Sequence, residues 1–77
     1  MKDEVKTFRL GELPVGTSGW ITRVDHPRLV EMGVVEGEKI EIRHAALGGD
    51  PIAVSVRGTL LGLRREEASK IWVEVRS

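Results

Sequence analysis

Three stretches of the chain alternate with a strict period of two: Ile40-x-Ile42, Ile52-x-Val54-x-Val56 and Ile71-x-Val73-x-Val75. Successive side chains of a strand point to opposite faces, so each stretch lays a row of branched apolar groups on one face only. A helix cannot do this, because residues two apart lie on nearly opposite sides of its axis. Composition agrees: ten Val and five Ile stand against seven Leu and four Ala. Branching at Cβ restricts rotamers in a helix but suits a pleated surface. Seventy-seven residues without an internal repeat or a linker are expected to form one domain, 1–77. Residues 1–6, charged and without an apolar segment, are expected to be flexible and not a secretory signal.

The remaining elements follow from local signals. Thr7–Leu10 is a short strand candidate, Leu13-Pro14-Val15-Gly16 a turn, and Trp20–Val24 a strand. Ile21 and Val24, three apart, both face inward only if a bulge interrupts the strand. Pro27 fits the first turn of a helix through Met32, with Asp25 or His26 near its cap. Gly33 supplies a left-handed stop, and Leu29 and Met32 are expected to share the buried face. Glu38–His44 reads as a strand with His44 on the parity of Ile40 and Ile42. Leu47–Pro51 is a loop, Gly58 a turn, and Thr59–Arg64 a strand with Leu61 and Leu63 inward. Arg65–Ser69 holds at most one helical turn. Five or six short strands with one or two short helical insertions describe a mainly β chain curled into a small barrel.

Several function classes are disfavoured by the residues themselves. The formal net charge is +0 and the pI near 6.7, which argues against a nucleic-acid binder needing a basic face. No apolar run approaches the ~20 residues that span a bilayer, so no membrane insertion is expected. Without cysteine there is no disulfide framework or thiolate metal site, and the reducing cytosol is the natural compartment. His26 and His44 are the two candidate bases, and nothing orients either imidazole beside a nucleophile. Glu66 and Glu67 are adjacent in a charged turn, and the Gly16-x-x-Gly19 and Gly48-Gly49 steps lack a phosphate loop's Gly-Lys-Ser/Thr. The two histidines are distant in sequence and form no His-x-x-x-His pair, so no resident metal or cofactor is expected. The chain is therefore read as a binding protein and not an enzyme.

Three residues are candidates for the partner-binding surface. Alternation along Thr59–Arg64 leaves Leu60 on the outer face, and Leu47 sits in an exposed loop. Trp72 alternates away from Ile71 and Val73, and tryptophan is enriched at binding hot spots. If the fold brings Leu47 and Leu60 together, they form an apolar patch extended by Trp72, for a partner or a second copy.

In order, the chain reads Gly16-x-x-Gly19-x-Ile21-x-x-Val24, then Arg28-Leu29-x-x-Met32-Gly33-Val34-x-x-Gly37 and Ile40-x-Ile42. It continues with Gly49-Asp50-Pro51-Ile52-x-Val54-x-Val56-x-Gly58, Leu61-x-Leu63-Arg64 and Glu67-Ala68-x-x-Ile71-x-Val73. From about Leu10 to Val75 this resembles the ferrous-iron transport protein A (FeoA) family. One step departs: Ala46 is followed by Leu47 and Gly48, where the family commonly has Ala-Pro. The resemblance implies an SH3-like β-barrel and a small cytosolic accessory protein of bacterial or archaeal ferrous-iron uptake. Its implied partner is ferrous-iron transport protein B, a membrane permease with a GTPase domain. The same barrel closes iron-dependent repressors of the diphtheria-toxin-repressor type. An isolated regulatory domain of that kind is the alternative reading.

Overall fold

A computed structural model describes residues 4–76. Six strands carry the chain: β1 (Val5–Arg9), β2 (Ser18–Val24), β3 (Lys39–Ala45), β4 (Ile52–Val56), β5 (Thr59–Leu63) and β6 (Ile71–Arg76). Two short helices, α1 (Pro27–Glu31) and α2 (Arg65–Ala68), and two 3-10 turns at Leu10–Glu12 and Leu47–Gly49 join them. The strands form one antiparallel sheet in the order β1-β6-β2-β3-β4-β5. The expected barrel is thus open, with β1 and β5 as its two edges. The 3-10 turn after β1 packs on α2 at one end of that seam. Val5 and Lys6, expected to be flexible, belong to β1 and pair with Arg76 and Val75; residues 1–3 of that expected segment lie outside the described residues.

The alternating rows form the core. Ile40, Ile42, Val54, Val56, Ile71 and Val73 are buried together with Leu10, Ile21, Leu63 and Ala68. Burying each large aliphatic side chain contributes about 1.5–3 kcal/mol. The expected bulge in β2 is present, as a register shift between Ile21 and Arg23 that turns Val24 back against the core. A second bulge, in β3 between Ile42 and His44, was not foreseen. It inserts one residue and sends His44 to solvent, so His44 does not continue the inward row.

The α1 helix starts with Pro27 in its first turn after His26, whose side chain makes no capping bond. It ends at Gly33 (φ +100°), with Val34 N–H donating to Leu29 C=O (2.9 Å) and Gly33 N–H to Val30 C=O (3.0 Å). This 6→1, 5→2 pair is a Schellman closure, which brings the residue after the glycine back over the helix. Val34 and Leu29 are therefore the buried pair, while Met32 is 44% exposed. The expectation that Met32 shares the buried face is corrected: the left-handed step lets Val34 take that place.

The two glycines of Gly16-x-x-Gly19 serve different ends. Gly16 is left-handed (φ +94°) in the turn entering β2. A Cβ on Gly19 would lie 2.6 Å from the Glu74 carbonyl oxygen and 2.5 Å from Val73 Cγ1. Close approach of β2 to β6, not a positive φ, requires glycine there.

Candidate partner-docking site

The site is built where the open seam meets the Leu47–Pro51 loop. Left-handed Gly48 and Gly49 (φ +82° and +81°) turn this loop tightly, and Ala46 N–H closes it on the Pro51 carbonyl (2.9 Å). The Asp50–Pro51 peptide is cis. Asp50 Oδ1 accepts the backbone N–H of Arg65 (3.0 Å), the first residue of α2, and so supplies an N-terminal hydrogen-bond partner from a distant loop. Arg65 Nη2 returns a hydrogen bond to the Gly48 carbonyl. The Gly-Asp-Pro loop and the Leu-Arg…Glu-Ala turn are thereby one unit.

Two glutamates brace the same region. Glu67 accepts the Arg64 N–H (2.8 Å) and Glu12 the Arg9 N–H (2.9 Å), each one reaching back to the residue that opens its own turn. Ala68 is buried beside Gly11, close enough that a Cβ on Gly11 would touch it at an ordinary contact distance of 3.7 Å. Between these pieces lies a cleft of about 400 Å³. It is walled by Arg9, Gly11 and Glu12 on one side, by Gly48, Gly49 and Ile52 on another, and by Arg65, Ala68 and Ser69.

Trp72 stands next to this cleft. Arg9 and Arg23 are its cross-strand neighbours on β1 and β2. Their guanidinium carbons lie 5.3 and 5.1 Å from the centroid of its ring, within cation–π range. Arg23 is held in turn by Asp25 (2.9 Å). Arg9 therefore covers Trp72 and lines the cleft at once. Leu47, next in sequence to the cleft residue Gly48, is fully exposed.

None of the three sequence candidates lines the cleft; Leu47 adjoins it through its neighbour Gly48, and Trp72 through Arg9. Leu60 does not join them: it lies opposite Ser55 near the Arg57–Gly58 turn, whereas Leu47 precedes Ile52 at the other end of β4. Leu60 is 64% exposed. Reading by sequence missed Arg9 and Arg65, which line the cleft. Their roles come from strand register and from a loop contact spanning fifteen residues, neither of which leaves a local signal. Among the described residues, no group of three or more His, Asp or Glu side chains is placed to hold a metal ion, and no helix is long and apolar enough to cross a membrane. The cleft offers guanidinium groups beside apolar walls, the chemistry to accept an apolar side chain flanked by a carboxylate.

The FeoA domain model matches residues 8–75. A curated relative, the Fe(2+) transport protein A/Fe(2+) transporter FeoB fusion protein of Porphyromonas gingivalis, is 38% identical over 73 residues, covering 88% of this chain and 9% of that protein. The chain thus spans about a tenth of that relative's length. A FeoA-like protein from Clostridium acetobutylicum superposes with a TM-score of 0.82 at 36% identity, over 91% of this chain and 87% of that one. FeoA of Stenotrophomonas maltophilia, described as a prokaryotic SH3 domain protein and solved with zinc, gives 0.70 at 34% identity, over 80% and 84%. The IdeR of T. acidophilum shares the fold alone: TM-score 0.78 at 23% identity, over 90% of this chain and 34% of that one. The SH3-like class expected from the sequence is thus the observed one, and the chain belongs to the FeoA family, which is involved in ferrous-iron transport.

Proposed function

We propose that the chain is a cytosolic, non-enzymatic accessory protein of ferrous-iron uptake that acts by contact with the FeoB permease. The observation that carries this reading is the Porphyromonas gingivalis relative, in which FeoA and FeoB are one polypeptide. Fusion holds two modules at a high effective concentration, which favours a contact too weak to persist between free proteins. The cleft lined by Arg9 and Arg65, together with the neighbouring Leu47, is the docking site. Leu47 enters an apolar recess of the permease, and Arg9 and Arg65 meet carboxylates of a cytosolic segment. The cleft's rigid framing by Asp50, Glu12 and Glu67 keeps the ordering cost of docking low.

The test is anaerobic ferrous uptake in cells lacking their own copy of the protein. Wild-type chain is expected to restore uptake, and Leu47→Asp to restore it poorly while accumulating to the same level. Full uptake without any copy of the chain contradicts an accessory role. Full rescue by Leu47→Asp contradicts this docking site.

A further inference from the structure

The two edges of the open sheet differ in chemistry. β1 carries Lys6 and Arg9, whereas β5, Thr59-Leu60-Leu61-Gly62-Leu63, has no charge and no proline, and its pairing with β4 is unbroken by a bulge. Natural edge strands are usually protected by one of these devices. Arg57 and Gly58, at φ +55° and +80°, form a two-residue turn that makes Val56 and Thr59 a hydrogen-bonded pair. Bonding alternates from there, so Thr59, Leu61 and Leu63 bond to β4, and the N–H and C=O of Leu60 and Gly62 face outward. Among the described residues no other backbone group pairs with them.

We infer that β5 is a self-association edge, whose occupant is β5 of a second copy in antiparallel register about a two-fold axis at Leu61. In this register Leu60 lies opposite Gly62 of the other chain. Both are outward-bonding positions, so each of the two symmetry-related pairs exchanges two hydrogen bonds and all four free groups of each edge are satisfied. The side chains fit as well. Leu60 is 64% exposed, and the space above Gly62 is open, with no atom within 4 Å of where its Cβ would stand. Each Leu60 therefore covers the bare glycine of its partner, and no charge is buried. Pairing β5 with a partner's β1 would instead bring in Lys6 and Arg9 and give a head-to-tail contact that need not close.

Sedimentation equilibrium of the intact chain over a roughly hundredfold concentration range tests this, together with single-cysteine cross-linking, since the chain has no cysteine of its own. The mass is expected to rise toward that of a dimer for wild type and to stay monomeric for Leu60→Lys, whose circular dichroism and melting should match wild type. Under mild oxidation Leu61→Cys is expected to form a disulfide dimer, because the two-fold sets this residue opposite itself. Thr59→Cys, facing Leu63 of the other chain, should not. A wild-type mass that stays monomeric throughout overturns the proposal. Equal cross-linking at both positions, or a Leu60→Lys variant that still dimerises, overturns the register.

Discussion

Asp50 and Arg65 couple two loops that are fifteen residues apart: the Asp50 carboxylate accepts the Arg65 backbone N–H at 3.0 Å, and the Arg65 side chain bonds back to the Gly48 carbonyl of the Asp50 loop. One side of the cleft is thus fixed to another. Replacing Asp50 by Ala removes a hydrogen-bond acceptor at a helix start, a change that typically costs about 1 kcal/mol. Urea unfolding of Asp50→Ala should show a lower midpoint at an unchanged slope. An unchanged midpoint would mean that the loop is held without it.

Gly19 should tolerate no side chain. A Cβ there meets the backbone oxygen of Glu74 at 2.6 Å, and backbone cannot rotate away as a side chain can. Gly19→Ala is expected to cost at least the ~1–3 kcal/mol typical of overpacking, read as a drop in urea midpoint.

Gly33 tests the helix stop in a different way. Nothing lies within 4 Å of its absent Cβ, so a substitution there is penalised by its φ of +100° and not by a clash. Gly33→Val should destabilise by more than ~1 kcal/mol. Gly33→Asn, which adopts the left-handed region more readily, should lose less in the same titration.

These glycines show how far the sequence could be read. The rows Ile52-Val54-Val56 and Ile71-Val73-Val75 were legible because they need no information beyond their own alternation. Leu60 was legible as exposed from the same alternation, and Leu47 from its place in a glycine-rich loop. Met32 was misplaced because the closure at Gly33 brings Val34 back onto the core. His44 was misplaced because a bulge resets parity without a glycine or proline to mark it. The stacking of Arg9 and Arg23 on Trp72 depends on which strands become neighbours, and β6 lies between β1 and β2 only after the sheet has formed.

Arg57 occupies the left-handed region at φ +55°, ahead of Gly58 in the β4–β5 turn. A two-residue turn of this type favours Asn-Gly. Arg57→Asn should raise stability by on the order of 1 kcal/mol, because its exposed ion pair with Glu38, at 3.9 Å, contributes little. A lower melting temperature in the variant would contradict this account of the turn.

Ferrous ion should find no tight site on the free chain. Anaerobic calorimetry is expected to show binding no tighter than roughly micromolar, the ~8 kcal/mol level. A stoichiometric nanomolar site abolished by His26→Ala or His44→Ala would refute this prediction.

The central claim, that the chain works by docking on the permease, is tested most directly by binding of the purified chain to FeoB in lipid nanodiscs, with and without GTP. Saturable binding to wild type that weakens at least tenfold in Leu47→Asp, with the variant's melting unchanged, is the predicted result. No binding of the wild-type chain in either nucleotide condition would contradict the claim.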